Sequence, residues 1–227
     1  MTKNLPFVIK GSLKNKKIPM PSVVKGFSNA TSQKIKEAVF QIIENYAHDY
    51  PQIIFFDIFS GCGQMGIEAL SRGAAFSVFC EWDSKRLSDI RSWIYDNDLD
   101  DRASFIKMDG LRLLKSALAM PKDFHKKIFR ENINSENYHL VFFADPPYSF
   151  VKNNVPIFLE ILNAFKKFEA ENKFLSALLV VQSATLKTKF KLPNAKKTLY
   201  KKMPEILEKY DKSYVYGKNQ ILVYSPK

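Results

Sequence analysis

The stretch Asp145-Pro146-Pro147-Tyr148 carries the side chains best suited to chemistry. It follows a short apolar run, residues 140–144, which predicts a buried strand that the two prolines end. Each proline fixes its own φ angle, lacks a backbone N–H and biases the preceding residue toward an extended conformation. The stiff turn would present the Asp145 carboxylate, the Pro146 carbonyl and the Tyr148 ring, which suit a planar substrate with an amino group. Asp-Pro-Pro is also an ordinary turn sequence, so the motif alone leaves both interpretations open.

A second motif, Gly61-Cys62-Gly63-Gln64-Met65-Gly66, has the spacing G-x-G-x-x-G directly after an apolar run. Such a loop lets the backbone approach a ligand closely and offers N–H groups at the start of a helix. Glu81 lies twenty residues after Gly61, where a carboxylate can accept hydrogen bonds from both hydroxyls of a ribose. These residues fit a nicotinamide-binding Rossmann domain almost as well as a methyltransferase.

Residues at the ends of other predicted strands help to choose between these two alternatives. Asp57 precedes the glycines by four residues, where a carboxylate suits a ligand ammonium better than a pyrophosphate. Asp109-Gly110 ends the third strand, where a side chain or a backbone amide could meet an adenine edge. Trp82 could pack on the adenine, although a plain core or surface aromatic fits equally. If strands one and four are neighbours, the glycine loop and the Asp145 turn face each other across the crevice where strand order reverses.

The alternation of strand-like and helix-like runs predicts an α/β, Rossmann-like fold with a mostly parallel seven-stranded sheet and helices on both faces. The predicted strands are 53–58, 76–81, 103–107, 140–144, 175–182, 213–216 and 220–224, the last two forming an antiparallel C-terminal hairpin. The predicted helices are 32–48, 67–72, 84–95, 111–119 and 151–167. Ser28, Thr31 or Ser32 could cap the first helix. A polar stretch, 122–137, predicts a surface insertion.

The net charge of +12 indicates a polyanionic partner, most simply nucleic acid, with solubilising charge as the alternative. Up to Lys36 every charged residue is a lysine, and residues 7–9 and 18–20 flank a polar tip that predicts a small β-hairpin. We therefore expect two units, a basic N-terminal extension over 1–30 and a larger domain over 31–227. The lysines expected to contact phosphates are Lys10, Lys14, Lys16 and Lys17. A second lysine-rich stretch covers 187–202.

Other residues favour simpler interpretations. His48, His125 and His139 have no metal-ligand spacing with one another or with the cysteines, so we expect no metal site. Cys62 and Cys80 provide no disulfide framework, which fits a reducing compartment. No apolar run approaches the length of a membrane span, and the N-terminus lacks a signal-peptide core, so we expect a cytoplasmic protein. We also expect a monomer.

The run from Asp57 to Ala74, D-I-F-S-G-C-G-Q-M-G-I-E-A-L-S-R-G-A, resembles the cofactor loop of the bacterial 16S rRNA guanine-N2 methyltransferases. Asp145-Pro146-Pro147-Tyr148 is similar to their catalytic motif, although that turn is shared with other amino-methylating enzymes. Three shorter segments fall at matching places, so the resemblance covers nearly the whole chain: Val8-Ile9-Lys10-Gly11, Lys36-Glu37-Ala38-Val39-Phe40 and Tyr216-Gly217-Lys218-Asn219. Where the family usually carries an Arg-Pro-Thr-Thr-like segment, this chain has Asn29-Ala30-Thr31-Ser32, so RNA contacts there are not carried over.

The resemblance implies a class I methyltransferase that uses S-adenosyl-L-methionine to methylate N2 of a guanine in 16S rRNA within an assembling small ribosomal subunit. It implies a catalytic role for Asp145, Pro146, Pro147 and Tyr148. The residues expected to bind the cofactor are Asp57, Gly61, Gly63, Gly66, Glu81, Trp82, Asp109 and Gly110. The alternatives are an adenine-N6 or cytosine-N4 nucleic-acid methyltransferase, a protein glutamine methyltransferase, or a non-catalytic rRNA-binding assembly factor.

Overall fold

The structure is a computed structural model that describes residues 5–18, 20, 31–47, 52–119, 138–146, 151–152, 155–171, 176–184 and 208–225. The strands are β1 (Ile53–Asp57), β2 (Phe76–Glu81), β3 (Ala103–Lys107), β4 (His139–Ala144), β5 (Val151–Lys152), β6 (Val155–Pro156), β7 (Ser176–Ala184), β8 (Lys212–Tyr216) and β9 (Asn219–Tyr224). The helices are α1 (Gln33–Tyr46), α2 (Gln64–Ser71), α3 (Ser84–Tyr95), α4 (Gly110–Ala119) and α5 (Ile157–Glu171). Within these ranges no helix has the length and apolar character needed to span a membrane.

Seven strands form one mixed sheet in the order β3-β2-β1-β4-β7-β9-β8, which confirms the predicted architecture. The first five in this order run parallel, whereas β9 pairs antiparallel with β7 and β8 antiparallel with β9. Strands β1 and β4 are neighbours, as the crevice prediction requires. Chain order reverses between them, so their carboxyl ends flank the place where ligands bind in open α/β sheets.

Aromatic side chains fill both faces of the sheet, because its central parallel strands are covered by helices on each side. On one face the Phe56 and Phe142 rings stack with centroids 4.4 Å apart, and Phe165 of α5 meets Phe142 edge-on at 5.3 Å. On the other face Phe55 stacks with Phe40 of α1 at 5.8 Å. Strand residues alternate between the faces, so the continuous apolar runs of β1 and β4 supply both cores.

One predicted helix begins later than expected. The helix predicted over 151–167 starts at Ile157, and the segment before it forms the short antiparallel pair β5–β6. Val151 and Val155 are β-branched, and Pro156 biases Val155 toward an extended conformation, so local preference favours strand here. The predicted insertion at 122–137 and the lysine-rich stretch at 187–202 lie outside the described residues.

Residues 5–18 fold against α2 and α3. An antiparallel bridge joins Phe7 to Lys17, and beside it the N–H of Val8 donates to the Lys16 carbonyl at 3.0 Å, as a small hairpin requires. Val8, Leu13 and Ile18 are buried in the core beside those helices. Gly11 adopts φ +93°, and a Cβ there would lie 1.8 Å from the carbonyl oxygen of Ser71. Only glycine therefore lets the turn approach the end of α2 so closely.

A buried carboxylate, Glu68 of α2, fastens this N-terminal segment to the domain. Its Oε2 accepts from the backbone N–H of Ile9 at 2.8 Å and lies 3.1 Å from Nζ of Lys36, which is also fully buried. Its Oε1 accepts from the backbone N–H of Lys10 and from Nε of Arg72, each at 3.0 Å. Burial lowers the pKa of Lys36, and the Glu68 charge opposes this effect. The pair is tolerated because both charges are paired and hydrogen-bonded.

We expect Glu68→Ala to lower the free energy of unfolding by about 3–5 kcal/mol, the usual cost of removing one partner of a buried ion pair. Lys36 would be left with the carbonyl of Phe7 as its remaining hydrogen-bond partner among these contacts. Denaturant unfolding followed by circular dichroism measures the change. The matched control is Glu37→Ala, at an exposed carboxylate of α1, and this substitution should cost about 0.5 kcal/mol or less. This control therefore compares a loss at a buried site with one at the surface. Equal losses in the two variants would contradict the structural role of Glu68.

Candidate active site

Three carboxylates line the carboxyl edge of adjacent strands. Asp57 ends β1, and in the sheet register it is paired with Phe79 of β2 and Phe143 of β4. Glu81 follows Phe79 by two residues, and Asp145 follows Phe143 by two, so these acids flank Asp57 from both sides. The strand order β2-β1-β4 therefore brings together three acids that are far apart in sequence.

The glycine loop is pinned between β1 and β2 by Ser60. The Ser60 hydroxyl lies 2.7 Å from the carbonyl oxygen of Asp57 and 3.1 Å from that of Cys80, and its backbone N–H donates to the same Cys80 carbonyl at 3.0 Å. Gly61 and Gly63 adopt φ +56° and +76°, the left-handed region that favours glycine. Sequence reasoning did not single out Ser60, although its place between strand and loop suits a residue that joins the two.

Two other glycines allow close packing at the same edge. A Cβ on Gly66 would lie 2.3 Å from the Phe79 ring, so this glycine lets α2 approach β2. A Cβ on Gly110 would lie 2.4 Å from the carbonyl oxygen of Ile58, so this glycine brings the start of α4 against the end of β1. Both glycines thus have a packing role in addition to the ligand role predicted for them.

Backbone amides of the loop partly satisfy two of the carboxylates. Asp57 Oδ2 accepts from the N–H of Gly66 at 3.1 Å. Glu81 Oε2 accepts from the N–H of Gly61 at 2.9 Å, and its Oε1 accepts from that of Asp83 at 3.0 Å. A carboxylate offers about four acceptor positions, so both groups retain capacity for a ligand while they hold the loop.

Burial at this edge perturbs all three carboxyl groups. It raises the pKa of Asp57 to about 7; the nearby charges of Asp145 and Glu81 add to the rise, and the Gly66 hydrogen bond opposes it. Burial also raises the pKa of Asp145 to about 7, against the hydrogen bond from Thr31. The pKa of Glu81 is raised by the same cause. A cation placed among these groups would favour their ionised forms, so the edge is suited to a positively charged ligand.

Thr31 and Gln64 join the site although the sequence analysis assigned them no role in it. The Thr31 hydroxyl donates to Asp145 Oδ2 at 3.0 Å. With its amide oriented to match its neighbours, Gln64 accepts from the backbone N–H of Thr31 at 2.5 Å and donates to the Thr31 carbonyl at 3.3 Å. Ser32 caps α1, with its Oγ accepting from the N–H of Ile35 at 3.4 Å. The adjacent hydroxyls of Thr31 and Ser32 could have indicated this contact, because only one of them is needed to cap α1 and the other can bind elsewhere.

The remaining predicted site residues vary in their placement. Pro146 is buried directly after Asp145, whereas Pro147 and Tyr148 lie outside the described residues. Trp82 is 71% exposed beside the same strand end as Glu81. The exposed Asp109 caps α4, since its Oδ1 accepts from a backbone N–H of the first turn at 2.9 Å.

The lysines predicted to contact RNA are exposed but lie away from the carboxylates: Lys10, Lys14, Lys16 and Lys17. Lys16 Nζ contacts the side chain of Asn97 at 2.5 Å, and the Lys17 carbonyl accepts from Nε1 of Trp93 at 2.9 Å. Both contacts are at the C-terminal end of α3, whose first residue lies near Glu81. The helix has 12 residues, or about 18 Å, and this length lies between Lys16 and Lys17 at one end and Glu81 at the other.

The two thiols and the possible metal ligands suggest no further chemistry. Burial raises the pKa of Cys62 to about 11 and raises that of Cys80 as well. A thiol with so high a pKa is a poor nucleophile at neutral pH. In the part of the chain that the structure describes, no group of three or more His, Cys, Asp and Glu side chains could hold a metal ion.

Comparisons with known proteins add independent findings. The family model described as Conserved hypothetical protein 95 matches residues 7–202. The chain is 27% identical over 164 residues to "Putative rRNA methyltransferase YlbH" of Bacillus subtilis, covering 72% of this chain and 77% of that protein. It is 27% identical over 135 residues to "Ribosomal RNA small subunit methyltransferase D" of Buchnera aphidicola, covering 56% and 68%. The solved structure of "Putative methyltransferase yhhF" from Escherichia coli covers 97% of both chains with a TM-score of 0.61 and 18% identity, a similarity of fold.

The raised pKa of Asp57 predicts a stability effect with a definite sign. Between the unfolded pKa near 4 and the folded pKa near 7, the folded protein holds a proton that the unfolded chain has lost, so stability falls as pH rises through this window. Asp57→Asn keeps an acceptor for Gly66 and removes the titration. The free energy of unfolding of Asp57→Asn minus that of the parent protein should therefore increase by about 1–3 kcal/mol from pH 5 to pH 8.

Denaturant unfolding at both pH values measures this difference. Asp101→Asn, at an exposed carboxylate, is the control and should follow the parent protein at each pH. If Asp57→Asn also follows the parent protein, the carboxyl group of Asp57 does not carry the predicted charge penalty.

Proposed function

The chain belongs to the family described as Conserved hypothetical protein 95, and from this premise we propose that it methylates the exocyclic N2 amine of a guanine in 16S rRNA, with S-adenosylmethionine as the methyl donor. The observation that carries the proposal is a row of three carboxylates, the buried Asp57 and Glu81 and the half-buried Asp145, on both sides of the point where strand order reverses. Relatives named as rRNA methyltransferases support the reaction class and the RNA substrate. The choice of guanine N2 rests on the sequence resemblance.

The residues on the β1–β2 side fit a cationic nucleoside cofactor. S-adenosylmethionine supplies an electrophilic methyl group on a sulfonium centre. Asp57 would bind the ammonium group of the cofactor, because a buried carboxylate whose charge one backbone amide only partly compensates gains most from an opposite charge. Glu81 would accept hydrogen bonds from the ribose hydroxyls while Gly61 and Gly63 let the backbone come close. Trp82, and the loop at Asp109 and Gly110, would contact the adenine.

Asp145 would act on the amine of the acceptor base. The lone pair of an exocyclic amine is delocalised into the ring, so the amine is a weak nucleophile. Hydrogen bonds from its two protons to Asp145 and to the Pro146 carbonyl would favour a pyramidal nitrogen whose lone pair points at the methyl group. The negative charge of Asp145 would also stabilise the positive charge that develops on that nitrogen. Tyr148 would stack on the base, as is usual when an enzyme acts on an unstacked nucleotide.

The exposed lysines of the N-terminal segment would hold the RNA by its phosphates, which position a nucleic acid without reading its sequence. An RNA that contacts both Lys16 and Asp145 has to extend along α3, a length of about 18 Å. We propose that the substrate is rRNA of an assembling small subunit and that the protein acts as a cytoplasmic monomer. An adenine-N6 or cytosine-N4 activity is the second candidate, because the Asp145 turn binds an amine and not a particular ring.

The test of the proposed function is methyl transfer by the Asp145→Asn variant. Its interaction with the amine matters mainly when charge develops, so turnover should fall by about 10²–10³-fold while the KM for the cofactor stays near the parent value. Labelled S-adenosylmethionine is incubated with naked rRNA, with small subunits and with DNA, and the labelled nucleotide is mapped by mass spectrometry.

Asp101→Asn serves again as the control with unchanged turnover. Near-native turnover of Asp145→Asn would make the turn structural and refute its catalytic role. A label on adenine N6 or cytosine N4 would select the second candidate. Absence of transfer to every RNA, with the cofactor still bound, would favour a non-catalytic assembly factor.

A further inference from the structure

Thr31 is a side chain without a role in the helix that it precedes. It lies two residues before α1 and is 8% exposed. Ser32 already caps the helix, so the Thr31 hydroxyl is available and points to Asp145 Oδ2 at 3.0 Å. A buried hydroxyl that donates to a half-buried carboxylate forms a charge-assisted hydrogen bond, which is about twice as strong as a neutral one.

Gln64 holds Thr31 in this place. Gln64 is the first residue of α2 and is 4% exposed. Its amide makes paired hydrogen bonds with the backbone N–H and carbonyl of Thr31, at 2.5 and 3.3 Å. Two bonds to one peptide segment fix both its position and its orientation. Because α2 begins at the glycine loop, this contact joins the helix on the cofactor side to the residue that contacts Asp145 on the acceptor side.

The Thr31 hydroxyl has two possible acceptors and one proton. Its Oγ1 lies 3.0 Å from Asp145 Oδ2 and 3.2 Å from Gln64 Oε1. With Asp145 ionised, the proton goes to the carboxylate, which is the stronger acceptor. With Asp145 protonated, the carboxyl proton would go to Oγ1 and the hydroxyl would turn to Gln64. The arrangement therefore fits both forms of Asp145, but it stabilises the ionised form more.

We propose that Thr31, held by Gln64, is a positioning residue for Asp145: its hydroxyl fixes one carboxylate oxygen so that the other faces the amine of the acceptor base. Fixing one oxygen leaves a single orientation for the carboxyl group, which would reduce the cost of aligning the amine in the transition state. The consequence for the reaction rate rests on the proposed function. The consequence for the ionisation of Asp145 does not.

The ionisation of Asp145 balances opposing influences. Burial disfavours the carboxylate, and the nearby carboxyl group of Asp57, at the end of β1, disfavours a second negative charge beside it. The Thr31 hydrogen bond favours the carboxylate. Removing that hydroxyl should therefore raise the pKa of Asp145, and the same loss should move the acid limb of the pH–rate profile to higher pH.

The decisive experiment titrates the side-chain carboxyl carbon of Asp145 by NMR in protein labelled with ¹³C-aspartate, with Asp145→Asn to assign the resonance. Thr31→Val keeps the shape of the side chain and removes the hydroxyl; we expect about a tenfold increase in the proton-binding constant of Asp145, one pKa unit. Thr31→Ser should restore the parent value. Ser32→Ala is the matched control, because it removes the adjacent hydroxyl and should leave the Asp145 titration unchanged.

An unchanged Asp145 titration in folded Thr31→Val protein overturns the proposal, and so does a Ser32→Ala shift of equal size. If Thr31→Val does not fold, Gln64→Met provides the test. This substitution removes the hydrogen bonds that hold the Thr31 backbone, so it should raise the pKa of Asp145 by a smaller amount. An unchanged pKa in this variant would contradict the proposal.

Turnover provides the second readout. In Thr31→Val the acid limb of kcat should shift by the same amount as the NMR titration, with an unchanged KM for the cofactor and recovery in Thr31→Ser. A shifted titration in a protein that methylates no RNA would support the positioning contact and refute the proposed function. Methylation of RNA together with an unshifted Asp145 titration would support the proposed function and refute the positioning contact.

Discussion

The placement of three carboxylates at one edge of the sheet, with Asp57 and Glu81 buried and Asp145 half-buried, is the constraint on which the site depends. Charges placed in a low-dielectric environment cost free energy unless partners compensate them. Loop amides compensate Asp57 and Glu81, and the Thr31 hydroxyl compensates Asp145, yet the pKa of each group stays above its ordinary value. A cation that binds there lowers the cost of ionising these carboxyl groups, so the site favours a positively charged ligand. A rigid aromatic core behind the strand ends keeps the groups in place.

Glu68 is also a buried carboxylate, but unlike the three at the sheet edge its hydrogen-bonding capacity is fully used. Here every carboxylate oxygen has two partners, and a buried lysine neutralises the charge. Such a pair has no capacity left for a ligand, so its role is to join elements. Helix α2 thus carries both kinds of contact. Its first turn meets the glycine loop and Thr31, and its second half anchors the N-terminal segment.

The sequence predicted the sheet well because central parallel strands are continuous apolar runs, and it predicted which carboxylates share one edge because they stand where those runs end. The helix predicted from residue 151 was wrong up to Pro156 because it did not follow local preference, since β-branched Val155 and the proline after it favour strand before α5. The contact of Thr31 with Asp145 spans 114 residues in sequence, and Gln64 occupies a variable position of the glycine motif. No periodicity or spacing reports such a contact, since it depends on how α1, α2 and β4 meet.

The most direct test of this account is the number of protons released when S-adenosylmethionine binds, measured by calorimetry at pH 6.5 in buffers with different ionisation enthalpies. At this pH the ammonium group of the cofactor is already charged, since α-amino groups titrate near 8. Asp57, with its pKa raised to about 7, is mostly protonated. The account predicts release of roughly half a proton or more as the ammonium group lowers that pKa, and a clearly smaller release in Asp57→Asn, where Asp145 and Glu81 remain. Tight binding without proton release in the parent protein would contradict it.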